Sequence, residues 1–396
     1  MTSFRLFVSY AGSLALRFLL SPLKLLPIQK DRVLFVSFRG KQYSCNPRAV
    51  SEAMEKTASG RVRIEWAFHE PEKFKYIAGR GITVLDDRSL KFILHAMTAR
   101  VVCTNTYYKP FLPRRKDQFY LRTWHGGGAY KKVTYPSGLR GKYISMQQQG
   151  ASLYLSSSRA FTDQTLRGAF GYTGEVLEAG MPRNDILTDG RWKETALLTK
   201  RELGLSDRKI ALYAPTYRYK QNASSGEHIV ETRSVDMDYS GVYKALKERF
   251  GGEWMILLRL HPGREEDAHK MTLPDFVLNA TDHPDGEELC AACDVMFSDY
   301  SSIMFEPAFV RKPVFLLATD RREYIDKEYD LLIDYDSLPF PIAESNEDLI
   351  RNIIRFDERE YVEKIDAFMG KYGINEDGHA SERAAQFIMD LLEKKS

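Results

Sequence analysis

Hydrophobic positions along the chain fall into short runs that alternate with stretches of helical periodicity. The runs are rich in β-branched and aromatic residues and lack a regular polar alternation, which is typical of strands buried on both faces of a sheet. Strands that alternate with helices in this way predict parallel α/β sheets. The runs lie at 32–38, 62–68, 99–105, 118–125, 151–158 and 174–180, and then at 209–216, 253–261, 275–281, 293–299 and 312–318.

A charged helical segment separates the two sets of strands. The chain has 396 residues, which is too long for one core and fits two domains of ordinary size. The pattern predicts two Rossmann-like domains, one at 31–195 and one at 196–396. The final helical segment has a clear apolar face and could pack back on the first domain.

The first 30 residues form a segment of their own. Polar residues recur at a spacing of four, which predicts an amphipathic helix with a narrow basic stripe that lies in a membrane interface. The longest uncharged stretch, Leu6 to Leu16, is shorter than the roughly 20 residues that span a bilayer. The alternatives are a helix packed on its own domain and a cleaved signal peptide, for which no clear small-residue cleavage site is visible.

Composition narrows the function classes. A hydrophobic content of 43% and a charged content of 28% are typical of a globular protein. The net charge of +3 gives no strong general attraction to nucleic acid, and no nucleic-acid-binding motif is present, so we expect no such partner. Cys290 and Cys293 form a CxxC pair on a predicted helix; packing is the favoured interpretation, and a metal or redox role is the alternative.

Polar sequences follow almost every predicted strand. In open parallel sheets, ligands bind outside the carboxyl ends of the strands, so these junctions are expected to form the binding site. The junctions lie at 123–128, 180–185, 214–218, 259–264, 298–302 and 318–324.

The junction "SDYSS" at 298–302 predicts a phosphate site. A helix that begins near Ser301 has free backbone N–H groups that bind phosphate, and the hydroxyls of Ser301 and Ser302 add donors. Asp299 or Ser298 is expected to cap this helix. Glu306 follows one turn later in an otherwise apolar helix, where a carboxylate suits the paired hydroxyls of a ribose. The alternative is an ordinary capped helix start.

Two histidines end strands in similar settings. His125 precedes three glycines, which let a ligand approach the backbone, and an imidazole can accept a proton from an alcohol near neutral pH. A structural role is the alternative for this residue. His261 stands between Arg259 and Arg264, and Arg218 closes another junction; guanidinium groups around one site suit a diphosphate. Surface salt bridging is the alternative for Arg264.

The junctions together resemble the CDP-glycerol glycerophosphotransferases of teichoic acid synthesis. The order and spacing of the motifs agree over roughly residues 100 to 325. The matching segments are "TWHG" at Thr123–Gly126, "GMPRND" at Gly180–Asp185, "YAPTYR" at Tyr213–Arg218, "RLHP" at Arg259–Pro262, "DYSS" at Asp299–Ser302, and Glu306 with Lys312–Pro313.

This resemblance implies a GT-B fold, with the two Rossmann-like domains facing a cleft, and an enzyme bound peripherally at the cytoplasmic face of the cell membrane. The implied reaction moves glycerol phosphate from CDP-glycerol to a hydroxyl of a lipid-linked glycan acceptor and releases CMP. His125 resembles the general base, His261 a contact to the donor diphosphate, and Glu306 a nucleoside contact. No metal or other cofactor is expected, because no Asp-x-Asp pair ends a strand. The other implied substrate-binding residues are Gly126, Arg183, Asn184, Asp185, Thr216, Arg218, Arg259, Asp299, Ser301 and Ser302.

The chain departs from the family pattern in two respects. The segment usually written "HGT-x-x-K" is "HGGGAYKK" here, which leaves the acceptor open. The long additional N-terminal domain of polymerising members is missing, which suggests the shorter enzymes that add a single unit. Ribitol phosphate transfer from CDP-ribitol, a GT-B glycosyltransferase that uses a nucleotide sugar, and a catalytically silent membrane-binding module are the alternatives.

Overall fold

A computed structural model shows that the chain forms two units. It describes residues 3–58, 60–106, 109–126, 138–139, 141–143, 150–216, 218–221, 228–231, 237–261, 264–327 and 331–393, with backbone only at 3–4, 218–221, 228–231 and 325–327. The first unit comprises Met1–Gly127, Val133–Asp185 and Asn375–Ser396, and the second comprises Gly128–Lys132 and Ile186–Ile374.

The first unit contains a seven-stranded parallel sheet, in the order β3-β2-β1-β4-β5-β6-β7. The sequence pattern predicted six of these strands and missed the short β3. The strands are β1 (Gln29–Val36), β2 (Arg63–Phe68), β3 (Thr83–Asp86), β4 (Ala99–Thr104), β5 (Phe119–Arg122), β6 (Leu153–Ser156) and β7 (Glu175–Glu178).

Both faces of this sheet are covered. Val33 and Phe35 of β1 join one buried cluster, whereas Leu34 and Val36 join another on the opposite face. The helices of this part of the chain are α1 (Ser3–Leu20), α2 (Cys45–Thr57) and α3 (Leu90–Thr98), with 3-10 turns at Ser21–Leu25, Phe38–Gly40, Pro71–Arg80 and Pro182–Asn184 and a π-helical segment at Phe161–Ala169. Burial on both faces is the physical reason for the unbroken apolar runs in the sequence.

Helix α1 has an inverted polarity. Its polar stripe faces the first unit, where Ser13 is buried and Arg17 Nε donates a hydrogen bond to the carbonyl of Pro110 at 2.5 Å. Its apolar side chains Phe7, Phe18 and Leu19 are exposed, Phe18 to 80%. The helix is therefore not packed through its apolar face on the described part of its own unit.

The N-terminal helix also bears on the expectation that the uncharged stretch is too short to span a bilayer. In the described part of the chain, one helical stretch, Arg5–Leu25, is long and apolar enough to cross a membrane by length and composition. This stretch contains Arg17 and Lys24, so it is longer than the uncharged run from Leu6 to Leu16 on which the expectation was based.

The second unit contains a six-stranded parallel sheet in the order β12-β11-β8-β13-β14-β15, together with an antiparallel hairpin of β9 and β10. The sequence pattern predicted five of these strands; the hairpin and the two-residue β15 were not predicted. The strands are β8 (Lys209–Tyr213), β9 (Arg218–Gln221), β10 (His228–Glu231), β11 (Trp254–Leu258), β12 (Val277–Asn279), β13 (Val295–Ser298), β14 (Val314–Leu317) and β15 (Ile342–Ala343).

Nine helices that follow β7 in the described part of the chain contribute residues to the core around this second sheet, and a tenth, α13 (Ala380–Glu393), belongs to the first unit. The nine are α4 (Asp185–Thr188), α5 (Trp192–Glu202), α6 (Tyr239–Phe250), α7 (Glu265–His269), α8 (Gly286–Ala292), α9 (Phe305–Phe309), α10 (Arg321–Lys327), α11 (Asn346–Ile354) and α12 (Glu358–Tyr372) among the described residues, with 3-10 turns at Ser302–Met304 and Tyr335–Ser337.

The change of unit falls at Asp185–Ile186, whereas the sequence pattern placed it near residue 195. Trp192 and Leu203, at the two ends of α5, pack against the core of the second unit, and Lys200 pairs with Asp294 at 2.9 Å. These contacts assign the charged segment to the second unit.

Helix α13 belongs to the first unit, although it follows the second unit in the chain. Ala384, Ala385 and Ile388 are buried in the same cluster as Phe35. The carboxylate of Asp185 accepts hydrogen bonds from the backbone N–H groups of Ala380 and Ser381, at 3.0 and 2.7 Å, at the start of this helix. A carboxylate at a helix N-terminus satisfies free donors and favours the helix dipole.

Candidate active site

His125 lies just beyond the carboxyl end of β5, and the structure defines its tautomer. Its Nδ1 is 2.9 Å from the carbonyl oxygen of Asn105, which follows the neighbouring strand β4. A carbonyl oxygen only accepts hydrogen bonds, so Nδ1 carries the proton, and Nε2 of the neutral ring is left as a proton acceptor. The side chain is partly exposed, as is Gly126. The arrangement suits a general base.

Aromatic side chains confine the imidazole of His125. The Phe38 ring meets it edge-on with centroids 5.7 Å apart, and the Trp124 ring lies at 4.6 Å. The backbone of Trp124 has a φ of +55°, a left-handed conformation that is uncommon for a bulky residue. Such strain persists only where surrounding contacts hold it, and it is concentrated at functional sites.

The "GMPRND" segment, residues 180–185, contacts the loop after β5 that carries His125, and both belong to the first unit. Arg183 Nη1 donates a hydrogen bond to the carbonyl of His125 at 2.7 Å. Asn184 and Asp185, which were predicted to bind substrate, also contact the C-terminal segment: Asn184 Nδ2 donates to Glu376 Oε1 at 3.1 Å, and Asp185 caps α13. These hydrogen bonds hold the C-terminal segment against the "GMPRND" segment.

Two predicted junctions also meet in the second unit. Asp299 accepts the backbone N–H of Thr216 with both carboxylate oxygens, at 2.8 and 3.0 Å. Ser298 Oγ donates to the carbonyl of Ala214 at 2.8 Å. Both side chains therefore bind the loop after β8, and the expectation that one of them caps the following helix was wrong.

The segment after "SDYSS" begins as a 3-10 turn, whereas an α-helix was predicted to begin near Ser301. Ser301 precedes a 3-10 turn at Ser302–Met304, and α9 then covers only Phe305–Phe309. Pro307 lacks an N–H donor, which limits a longer helix here. A helix this short has a weak dipole, so Ser301 and Ser302, both partly exposed, can offer a phosphate mainly their hydroxyls and backbone N–H groups. Glu306 is 3% exposed.

Three tyrosines pack around the turn at residues 298–302. Tyr300 is fully buried, stacks on Tyr324 with ring centroids 3.8 Å apart, and donates a hydrogen bond to Asp320 Oδ1 at 3.1 Å. Tyr335 donates to the carbonyl of Asp299 at 2.9 Å. The phenol of Tyr300 therefore ties the turn after β13 to the loop after β14.

The predicted arginines have different environments. Arg259 Nη1 donates to the carbonyls of Ala280 and His283, at 3.3 and 2.7 Å, so part of its guanidinium is occupied by the loop after β12. Arg264 pairs with Asp267 at 2.6 Å, which confirms the salt-bridge alternative for this residue. His261 is exposed. The side chain of Arg218, together with Pro262 and Lys131, lies outside the described residues.

Both cysteines of the CxxC pair are buried; Cys290 lies in α8, and Cys293 follows its last residue. Cys293 Sγ donates to the carbonyl of Cys290 at 3.3 Å, and burial raises the pKa of the Cys293 thiol to about 11. Within the described residues, no group of three or more His, Cys, Asp or Glu side chains is placed to hold a metal ion. The contacts are those of packed helix residues.

Asn105, Asn46 and Glu376 were not among the sequence candidates, although all three contact predicted segments. Asn105 follows a predicted strand, so the strand-end argument could have found it. Asn46 lies in helix α2, and Glu376 lies in the segment before α13. No local pattern marks these two residues, because their partners are far away in sequence.

Parallel α/β sheets with a histidine and hydroxyl side chains at the strand ends have the features of a group transferase. Residues 19–390 match the family described as CDP-Glycerol:Poly(glycerophosphate) glycerophosphotransferase, and the chain belongs to this family of enzymes. The resemblance inferred from the motifs is thereby confirmed.

Similar proteins have been characterised individually. The chain is 28% identical to the teichoic acid poly(glycerol phosphate) polymerase of Bacillus spizizenii strain W23, over 92% of this chain and 93% of that protein. It is 30% identical to the teichoic acid ribitol-phosphate primase of the same strain, over 93% of each. A solved structure of a variant of the wall teichoic acid polymerase TagF soaked with CDPG superposes with a TM-score of 0.81, at 25% identity, over 98% of both chains.

These similarities correct one inference from length. The polymerase from Bacillus spizizenii is matched over 93% of its own length, so a polymerase of similar size to this chain exists. A sequence of this length therefore does not distinguish single addition from polymerisation.

Proposed function

We propose that this enzyme transfers glycerol phosphate from CDP-glycerol to a hydroxyl group of a lipid-linked acceptor in teichoic acid synthesis. The acceptor oxygen forms a bond to the phosphorus that carries the glycerol, the P–O bond to the CMP part breaks, and CMP leaves with the bonding electrons. The acceptor hydroxyl gives its proton to His125 Nε2. The observation that carries this proposal is the hydrogen bond between His125 Nδ1 and the Asn105 carbonyl, which leaves Nε2 able to accept that proton.

Binding of the donor is proposed for the second unit. The hydroxyls of Ser301 and Ser302 follow β13, and Asp299 fixes the Thr216 backbone beside the same turn. We assign these groups, with His261, Arg218 and the part of Arg259 not directed at carbonyls, to the donor diphosphate, because charged and hydroxyl donors suit phosphate oxygens. Glu306 is assigned to the nucleoside.

The proposed transfer uses no metal ion. The reason is the sequence pattern, in which no Asp-x-Asp pair ends a strand. Arginines and neutral hydrogen-bond donors would then balance the charge of the diphosphate.

The proposed location is the cytoplasmic face of the cell membrane, with α1 in contact with lipid. The exposed apolar side chains of α1 and its protein-facing polar stripe support this location, since an apolar surface on a helix is stable when buried in a bilayer interface. A lipid-linked acceptor would be presented at the same surface.

Ribitol phosphate transfer is the second candidate, because one relative at 30% identity is a ribitol-phosphate primase. Isothermal titration of the full chain with CDP-glycerol, CDP-ribitol and a UDP-sugar separates the candidates. Binding of CDP-glycerol alone is the expected result, and binding of CDP-ribitol alone would select the second candidate. Binding of the UDP-sugar alone would overturn the proposal and indicate a sugar transferase.

A further inference from the structure

The side chain of Asn46, in the first turn of α2, is fully buried and bridges two distant segments. Its Nδ2 donates hydrogen bonds to the carbonyls of Thr123 and Trp124, at 3.2 and 3.0 Å. Its Oδ1 accepts the backbone N–H of Arg183 at 3.0 Å. A carboxamide is suited to this position because it offers donors on one side and an acceptor on the other.

Three successive carbonyls before and at the histidine are held in this way. Asn46 binds those of Thr123 and Trp124, and Arg183, whose own backbone is held by Asn46, binds that of His125. The middle residue is Trp124, whose φ of +55° costs free energy that the surrounding contacts must offset. Thr123 adds a hydrogen bond from its Oγ1 to the Trp124 carbonyl at 3.1 Å, but only Asn46 connects this loop to both the Thr123 and Trp124 carbonyls and to the Arg183 backbone among the contacts described above.

The loop conformation in turn determines where the imidazole points. With the loop held, Nδ1–H of His125 meets the Asn105 carbonyl. Asn105 is itself buried and fixed, because its Oδ1 accepts the Phe38 N–H at 2.9 Å and its Nδ2 donates to Ser37 Oγ at 3.2 Å. Relaxation of the Trp124 backbone would move the ring away from this fixed carbonyl.

We propose that Asn46 is a positioning residue for the general base, and this inference rests on the function proposed for His125. By holding the strained loop, Asn46 keeps His125 as the Nδ1–H tautomer, in which Nε2 is the unprotonated nitrogen that accepts the acceptor proton. Without Asn46, the neutral ring is distributed between both tautomers, and the Nε2–H form cannot act as a base.

The first measurement is the tautomer itself, observed by long-range ¹H–¹⁵N NMR on the full chain with ¹⁵N-labelled histidine. The chain has 8 histidines, and His125→Gln identifies the signal by its loss. Wild type is expected to show the Nδ1–H form at a pH where the ring is neutral. An Nε2–H form in wild type would overturn the proposal without any variant of Asn46.

The second measurement compares Asn46→Ala and Asn46→Asp with wild type. Asn46→Asp keeps an acceptor for Arg183 N–H and loses the donors to the carbonyls. Both variants are expected to reduce kcat about 10- to 100-fold, to leave the Kd of CDP-glycerol within about twofold, and to show mixed tautomers of His125. A kcat equal to that of wild type, or a reduced kcat with the wild-type tautomer, would overturn a positioning role.

Asn352→Ala is the matched control. Asn352 also donates its amide to a backbone carbonyl, that of Ile342 at 3.0 Å, but it lies in α11 of the second unit. It is expected to retain the wild-type kcat and tautomer. Because the NMR signal does not depend on turnover, a failure of CDP-glycerol as the donor would disprove the proposed function while the tautomer result still tests the role of Asn46.

Discussion

Both carboxylate oxygens of Asp299 accept the same donor, the backbone N–H of Thr216, at 2.8 and 3.0 Å. Asp299 follows β13 and Thr216 follows the adjacent strand β8, so this contact joins two strand ends of the second sheet. The carboxylate of Asp299, which the sequence marked as a substrate contact, also fixes the backbone on which the proposed donor site is built.

Asp299→Asn is expected to weaken CDP-glycerol binding about tenfold. The amide has one acceptor oxygen, so the charged hydrogen bond to Thr216 N–H becomes a neutral one. A neutral hydrogen bond is typically weaker than a charged one by about 1–2 kcal/mol. Isothermal titration gives the Kd. Asp282→Asn is the control, because Asp282 is exposed and its carboxylate pairs with the exposed His269. Unchanged affinity in Asp299→Asn would separate the donor site from this strand-end contact.

His125→Ala is expected to reduce transfer by about 10²- to 10⁴-fold and to leave CDP-glycerol affinity nearly unchanged, because the imidazole accepts a proton and does not hold the donor. Turnover is followed as CMP release and affinity by titration. His269→Ala, which removes an exposed histidine from α7, serves as the control and should keep wild-type activity. Loss of donor binding in His125→Ala would show that the residue contacts the donor instead.

Glu376 is expected to make stability fall as pH rises. Burial raises its pKa from 4.5 to about 8, while its carboxylate accepts the N–H of Met181 and the amide of Asn184. Between these two pKa values the unfolded chain has released the proton and the folded chain has kept it. The free energy of unfolding is therefore highest below about pH 4.5 and decreases as the pH rises to about 8. Because the Glu376 residue retains some contact with solvent, which screens its charge, the decrease is limited to on the order of 2 kcal/mol.

Glu376→Gln removes this titration. The melting temperature of the variant, relative to wild type, is therefore expected to increase between pH 5 and pH 8. Asp377→Asn is the matched control, since the Arg383 side chain lowers the pKa of the neighbouring Asp377 to about 2, outside this range. Parallel melting curves for wild type and Glu376→Gln across the range would show that Glu376 ionises normally.

Phe7→Glu/Phe18→Glu is expected to release most of the protein from vesicles that contain anionic lipid. Both side chains are exposed on α1, and a carboxylate at each position opposes burial in the bilayer interface. Co-sedimentation measures the bound fraction. Leu197→Glu/Leu198→Glu changes two exposed apolar residues of α5 and should leave binding unchanged. Equal sedimentation of both double variants would argue against α1 as the membrane contact, and removal of residues 1–28 should give the same result as the α1 substitutions.

The strands and most strand-end motifs were predictable because their signals are local. A strand buried on both faces needs a continuous apolar run, as at 295–298, and a parallel sheet places polar groups immediately after such runs. The hairpin of β9 and β10 lacks an apolar run, and β15 is too short to show a pattern. The 3-10 turn at Ser302–Met304 was not predicted, because the apolar pattern after Ser301 is typical of an α-helix as well.

The two parallel sheets, the family and the position of His125 at a strand end were predictable without the structure, since each depends on residues close together in the chain. Which nitrogen of His125 carries the proton depends on folding, because the carbonyl of Asn105 lies after another strand. Folding also determines that Asp185 caps α13 and that the apolar face of α1 points outward. Hydrogen bonds of buried polar groups are satisfied by whichever partners folding brings near, and sequence spacing does not encode those partners.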